Sequence, residues 1–148
     1  MMVGMSKIRG LTIAVQVGNT VQALSFYSAV LGRDPDYVAH DDFHEWEICE
    51  RAWLQVSSGH ESPKAASSRL RFEVVDIAAE IERLRGLGLE VAEPTTLTQV
   101  AVFTDFTDPW GNWLGLYQDI AGPDGPPEVG GSASDESLFR SGVVTGQS

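Results

Sequence analysis

The sequence predicts an α+β fold: two β-α-β-β-β modules forming a cupped mixed sheet with the helices on its outer face. Three observations carry that expectation. Apolar residues alternate with period two in several short runs and recur with helical spacing in two longer ones. Turn-forming residues separate the runs. The same order of elements occurs twice, offset by roughly 60 residues. At 148 residues with one cysteine, the chain can bury a core without staples, and its lone Cys49 rules out an internal disulfide or a cysteine-rich zinc site.

In the first module, Ile13, Val15 and Val17 alternate with Thr12, Ala14 and Gln16, the mark of a strand with one apolar face. The segment NTVQALSFYSAVLG follows, with Val21, Leu24 and Tyr27, or Ala23, Phe26 and Val30, at helical spacing. Asn19 or Thr20 can cap this helix and Gly32 can end it. Three short strands are expected around 36–39, 43–49 and 52–57, with turns at Asp41-Asp42 and Glu50-Arg51.

The second module repeats the order. Leu70, Phe72 and Val74 alternate with Arg69, Arg71 and Glu73 in a strand ending at Asp76, a natural N-cap for a helix whose Ile77, Ile81 and Leu84 face inward. Gly88 supplies its stop. Residues 89–92, 100–106 and 113–118 are expected as the remaining strands, with DPWGN at 108–112 as the turn before the last. The modules run over about 8–58 and 68–118, within a domain spanning 1–118. The remainder, 119–148, is rich in Gly, Pro, Ser and acidic residues and reads as a flexible tail.

The formal net charge is -11 with ten basic residues. These are scattered, which argues against nucleic acid as a partner. The N-terminal stretch has no apolar core of a signal peptide, and no run approaches the ~20 apolar residues of a membrane span, so a cytoplasmic protein without a membrane partner is expected.

Strand alternation also selects a candidate site. If the apolar set packs under the helices, the other set lines the opposite face. That set comprises Thr12, Ala14 and Gln16; Trp53, Gln55 and Ser57; Arg69, Arg71 and Glu73; and Trp113, Gly115 and Tyr117. Thr12, Gln16, Trp53, Gln55, Arg69, Arg71, Glu73, Trp113 and Tyr117 are the candidate ligand-binding residues, suited to stacking a planar ring while satisfying its polar edge. Glu73 is also a candidate general base, although flanking arginines suit it better to orienting a ligand than to abstracting a proton. Cys49 has no adjacent base and the serines have no partnered His and Asp, so covalent catalysis has no support. His40, Asp41, Asp42 and His44 form a potential metal-ligand cluster, but as turn residues they are expected to point to solvent, as is His60 in the inter-module segment.

FYSAVLG (Phe26 to Gly32) and DPWGNWLGLYQ (Asp108 to Gln118) resemble two signatures of the vicinal oxygen chelate superfamily, which includes glyoxalases, bleomycin-resistance proteins and extradiol dioxygenases. RFEVVDIAAEIERLRGLGLEV resembles its second-module strand and helix. The resemblance implies that a divalent metal, where one is used, would be held at Thr12, Gln55, Arg69 and Gly115. Those residue types suit a cation poorly, so no metal cofactor is expected. Similar metal-free members are acidic homodimers that sequester cationic, aromatic antibiotics between subunits. The expected function is therefore binding of an aromatic or antibiotic-like small molecule by a homodimer. The alternative is a glyoxalase-type lyase, isomerase or dioxygenase with non-standard ligands or metal-free acid–base chemistry.

Overall fold

Alternation and helical spacing become ten elements in the computed structural model, which describes residues 7–120. They are β1 (Leu11–Gln16), α1 (Thr20–Leu31), β2 (Tyr37–His40), β3 (Phe43–Cys49), β4 (Ala52–Ser57), β5 (Leu70–Glu73), α2 (Ile77–Gly86), β6 (Thr95–Leu97), β7 (Ala101–Thr107) and β8 (Trp113–Asp119). The β-α-β-β-β order occurs twice. The chain divides into two compact units between Ala66 and Ser67, and each carries its own four-stranded sheet, ordered β1-β4-β3-β2 and β5-β8-β7-β6. Both sheets are mixed: the β1–β4 and β5–β8 pairs are parallel and the rest antiparallel. Of the expected tail 119–148, Asp119 instead ends β8 and residues 121–148 lie outside the described ones; no helix among the described residues is long and apolar enough to cross a membrane.

In the first unit Asn19 caps α1, its side chain accepting from the Gln22 amide, and Gly32 ends it at φ 77°, a left-handed conformation that costs glycine little. The buried stripe of α1 matches neither expected set but draws on both: Ala23, Tyr27 and Val30 are buried, whereas Val21 is 77% exposed. Tyr27 meets the fully buried Trp46, their ring centroids 6.2 Å apart. The Trp46 indole donates to the Arg33 carbonyl at 2.9 Å. Val15, Val17, Leu54 and Val56 complete this apolar layer. His44 belongs here too: it lies in β3 opposite Val56 and is buried, not turned to solvent as expected, because the strand already begins at Phe43 and alternation carries His44 inward with Trp46. The His40-Asp41-Asp42-His44 cluster is thereby split, and no group of potential metal ligands occurs among the described residues.

In the second unit Asp76 caps α2 by accepting from Ala79, and Gln118 accepts from the Ile77 amide at 2.9 Å, tying the helix start to β8. Ile77, Ile81 and Leu84 are buried, as are Leu114, Leu116 and Phe106. One strand departs from expectation. Residues 89–92 form no strand; the sixth is Thr95–Leu97, paired antiparallel with β7. Val91 is buried, yet the Ala92 amide donates to the Asp105 carbonyl, so this segment packs beside β7 without joining the ladder.

Candidate functional site

The DPWGN turn determines which side chains meet on the second sheet. The Asp108 carboxylate accepts from the Trp110 amide (2.9 Å), the Asn112 amide (2.9 Å) and the Asn112 side-chain amide (2.8 Å), and both residues are buried. A turn closed this way leaves one register for the β7–β8 hairpin: Thr107 opposite Trp113, Asp105 opposite Gly115 and Phe103 opposite Tyr117. On the other side of β8, Arg71 stands opposite Gly115 and Glu73 opposite Tyr117. Arg71, Gly115 and Asp105 therefore form one row across three strands.

The row is a charge cluster. Asp105 has a side chain 1% exposed, and Arg71 grips it as a fork: Nε donates to Oδ1 at 3.2 Å and Nη2 to Oδ2 at 3.3 Å. Arg69, one residue before β5, places its Nε 3.5 Å from the same Oδ1. Both guanidiniums also lie over aromatic rings, Arg69 above Trp113 at 5.0 Å and Arg71 above Phe103 at 4.6 Å. Such cation–π contacts contribute about 1 kcal/mol each. Glu73 is exposed and its Oε1 lies 3.5 Å from the Tyr117 hydroxyl. Arg69, Arg71, Glu73, Trp113 and Tyr117 are thus gathered on one sheet face, and Asp105 and Phe103 join them.

Asp105 and Phe103 were not among the sequence-derived candidates. The signal was present: in a hairpin closed by DPWGN, alternation along β7 puts Phe103 and Asp105 on the same face as Gly115 and Tyr117. The single carboxylate of that strand would then have marked the partner of the arginines.

The other candidates form a separate group on the first sheet. Thr12 pairs with Trp53, Ala14 with Gln55 and Gln16 with Ser57. Thr12 and Gln16 are exposed, whereas Trp53 and Gln55 are half-buried. Gln55 donates to Glu45 Oε1 at 3.1 Å, and Gln16 accepts from the Lys64 amide at 3.0 Å. His60, expected in solvent, is half-buried with Nε2 2.9 Å from Ser57 Oγ. Folding of residues 58–60 back onto the strand end brings it there.

The four positions that the resemblance assigns to metal ligands do not fit a divalent cation. Thr12 offers a weak neutral oxygen and Gln55 is already engaged with Glu45. Arg69 supplies a positive charge. Gly115 has no side chain, and there is no room for one: a Cβ there would lie 2.5 Å from Asp105 Oδ1, 2.7 Å from the Thr104 carbonyl oxygen and 2.9 Å from Arg71 Cγ.

The family model described as Glyoxalase/Bleomycin resistance protein/Dioxygenase superfamily matches residues 11–116. Among solved structures, a glyoxalase/bleomycin resistance protein from Catenulispora acidiphila DSM 44928 is similar at 23% identity and TM-score 0.64, over 75% of this chain and 98% of that one. TnmS3, an antibiotic binding protein from Streptomyces sp. CB03234, is similar at 23% identity and TM-score 0.61, over 78% of this chain and 98% of that one. The oxidase ChaP-H2 shares 18% identity at TM-score 0.64, over 81% of this chain and 100% of its own. No curated protein matches the sequence.

Proposed function

The chain belongs to the glyoxalase/bleomycin resistance protein/dioxygenase superfamily, and from that premise we propose that it is a small-molecule binding protein that holds a planar aromatic, antibiotic-like ligand without a metal. The observation that carries this reading is the second sheet's face, where Trp113 and Phe103 each lie beneath a guanidinium and both guanidiniums are anchored by one buried carboxylate. Phe103 is buried beneath Arg71, so the half-buried Trp113 supplies the flat apolar surface beside fixed donors that a polar aromatic molecule requires. The likeness of fold to an antibiotic binding protein supports the same reading. The residues at the implied metal positions support binding without a cation.

A catalytic reading rests on a different observation, the Tyr117 hydroxyl beside Glu73, a pair able to move a proton at the edge of that face. It would make the protein a glyoxalase-type lyase, isomerase or dioxygenase.

The test is calorimetric titration of the purified protein, with EDTA present, against bleomycin and against the planar anthraquinone quinizarin. Saturable binding of either, weakened by Trp113→Ala and leaving the compound unchanged, supports sequestration. Conversion of the bound compound supports catalysis, and no binding of either sinks the proposal. We also infer a homodimer, because Leu11, Tyr37 and Val38 on the outer strands of the first sheet are exposed. A compact monomer in sedimentation at micromolar concentration would count against it.

A further inference from the structure

We propose that Arg69 recognises an oxyanion, so that the aromatic ligand of the second sheet's face carries a carboxylate, phenolate or enolate oxygen. The inference rests on the binding reading above and specifies the chemical class of the ligand. Its basis is an imbalance. One carboxylate, Asp105, serves two guanidiniums, and the fork of Arg71 uses both of its oxygens at 3.2 and 3.3 Å. Arg69 Nε stands 3.5 Å from an oxygen already taken, is buried, and has no hydrogen-bond partner among the described residues. Its side chain is 17% exposed, so water has little access to satisfy it. A guanidinium that only shares a carboxylate oxygen with its neighbour, and whose Nε makes no hydrogen bond, is incompletely satisfied, and an acceptor brought to that group by a ligand improves its balance.

The surroundings define the rest of the ligand. Trp113 lies beneath the Arg69 guanidinium and Phe103 beneath that of Arg71. An oxygen in the plane of the Arg69 group would therefore leave the ring that bears it beside the indole, as an aryl carboxylate or phenolate requires. The other acid on this face, Glu73, is exposed and meets the Tyr117 hydroxyl. Two positions that the family resemblance assigns to metal ligands, Arg69 and Gly115, are here a guanidinium and the gap through which its neighbour reaches Asp105. A fixed organic cation would thus supply the positive charge, without coordination. The net charge of -11 does not oppose this, because salt screens distant charges beyond ~8 Å at physiological ionic strength.

The test compares three probes of one shape by calorimetry: naphthalene-2-carboxylate, naphthalene-2-carboxamide and 2-naphthylmethylammonium. The carboxylate is expected to bind about tenfold more tightly than the carboxamide, with the ammonium weakest, the factor a charge-assisted hydrogen bond provides. Arg69→Gln should bring the carboxylate to the level of the carboxamide and leave the carboxamide unchanged, whereas Arg69→Lys should keep the preference. If Arg69→Gln fails to fold, the ranking on the unaltered protein decides alone. Binding of carboxamide or ammonium as tight as that of the carboxylate would overturn the oxyanion assignment while leaving the binding reading intact. Failure of all three to bind at millimolar concentration would overturn both.

Discussion

Gly115 and Asp105 stand opposite one another in the β7–β8 ladder, and a Cβ on Gly115 would lie 2.5 Å from Asp105 Oδ1. The missing side chain is what lets Arg71 cross β8 to its carboxylate. Because the Thr104 backbone oxygen would also be 2.7 Å away, the strain cannot be relieved by turning one flexible side chain. Gly115→Ala should lower stability by about 1–3 kcal/mol, as overpacking does, read as a lower urea midpoint.

Removing the charge at Asp105 tests the cluster from its centre. Asp105→Asn keeps the shape but removes the counter-charge that two guanidiniums share, with side chains only 17% and 15% exposed. The expected loss is about 3 kcal/mol, typical of breaking a buried ion pair by neutralising one partner. Urea unfolding at neutral pH measures it, and an unchanged midpoint would mean that the carboxylate does not hold the arginines.

Adjacent residues on β4 and β8 should separate stability from binding. Leu54 and Leu114 are 2% and 0% exposed, so their replacement by Ala should cost about 2–5 kcal/mol of stability. Trp53 and Trp113 are half-buried on the opposite face. Trp53→Ala and Trp113→Ala should leave folding largely intact, and Trp113→Ala should weaken an aromatic ligand by about 1 kcal/mol. Thermal melts and calorimetry on the four variants reveal whether the two classes part as expected.

Asp36 joins the end of α1 to β3. Its carboxylate accepts from Arg33 Nη1 at 2.8 and 2.7 Å and from the Glu47 amide at 2.7 Å, and Arg33 also donates to the Glu47 carbonyl. The Arg33 guanidinium, helped by the Glu47 amide, holds the Asp36 carboxyl below the ordinary aspartate value. A carboxyl lowered in the folded state stabilises above the unfolded-state value and loses that contribution as pH falls through the folded one. Asp36→Asn should therefore lower the melting temperature at neutral pH, and the gap from the parent protein should close in strongly acidic solution. A gap that stays constant with pH would show that shape and not charge makes this link.

Metal content offers a further check on the donor set. Because Arg69 repels a cation and Gly115 leaves no room for a ligand, the purified protein is expected to hold no stoichiometric Zn, Ni or Fe. Elemental analysis decides, and a full equivalent lost on Gln55→Ala would overturn the expectation.

Period-two alternation and helical spacing sufficed for the element order and for the apolar face of β1, β4, β5 and β8, because both depend only on spacing along the chain. Leu54 and Leu114 could be assigned inward, and Asn19, Gly32 and Asp76 to helix ends, without knowing what lay opposite. Where two strand-like stretches compete, spacing does not choose: β6 forms at Thr95–Leu97 and not at 89–92, because only the later stretch turns back through the Val100 amide, which donates to the Leu97 carbonyl, to pair with β7.

Which side chains meet across strands depends on the fold as a whole. Arg69 and Arg71 read in sequence as a pair facing a ligand with Glu73 as their acid; the carboxylate both of them meet is Asp105, more than thirty residues later. Their meeting depends on a register set by the Asp108–Asn112 turn and on the empty space at Gly115. An ion pair is a property of distance in space, which alternation along a single strand does not contain.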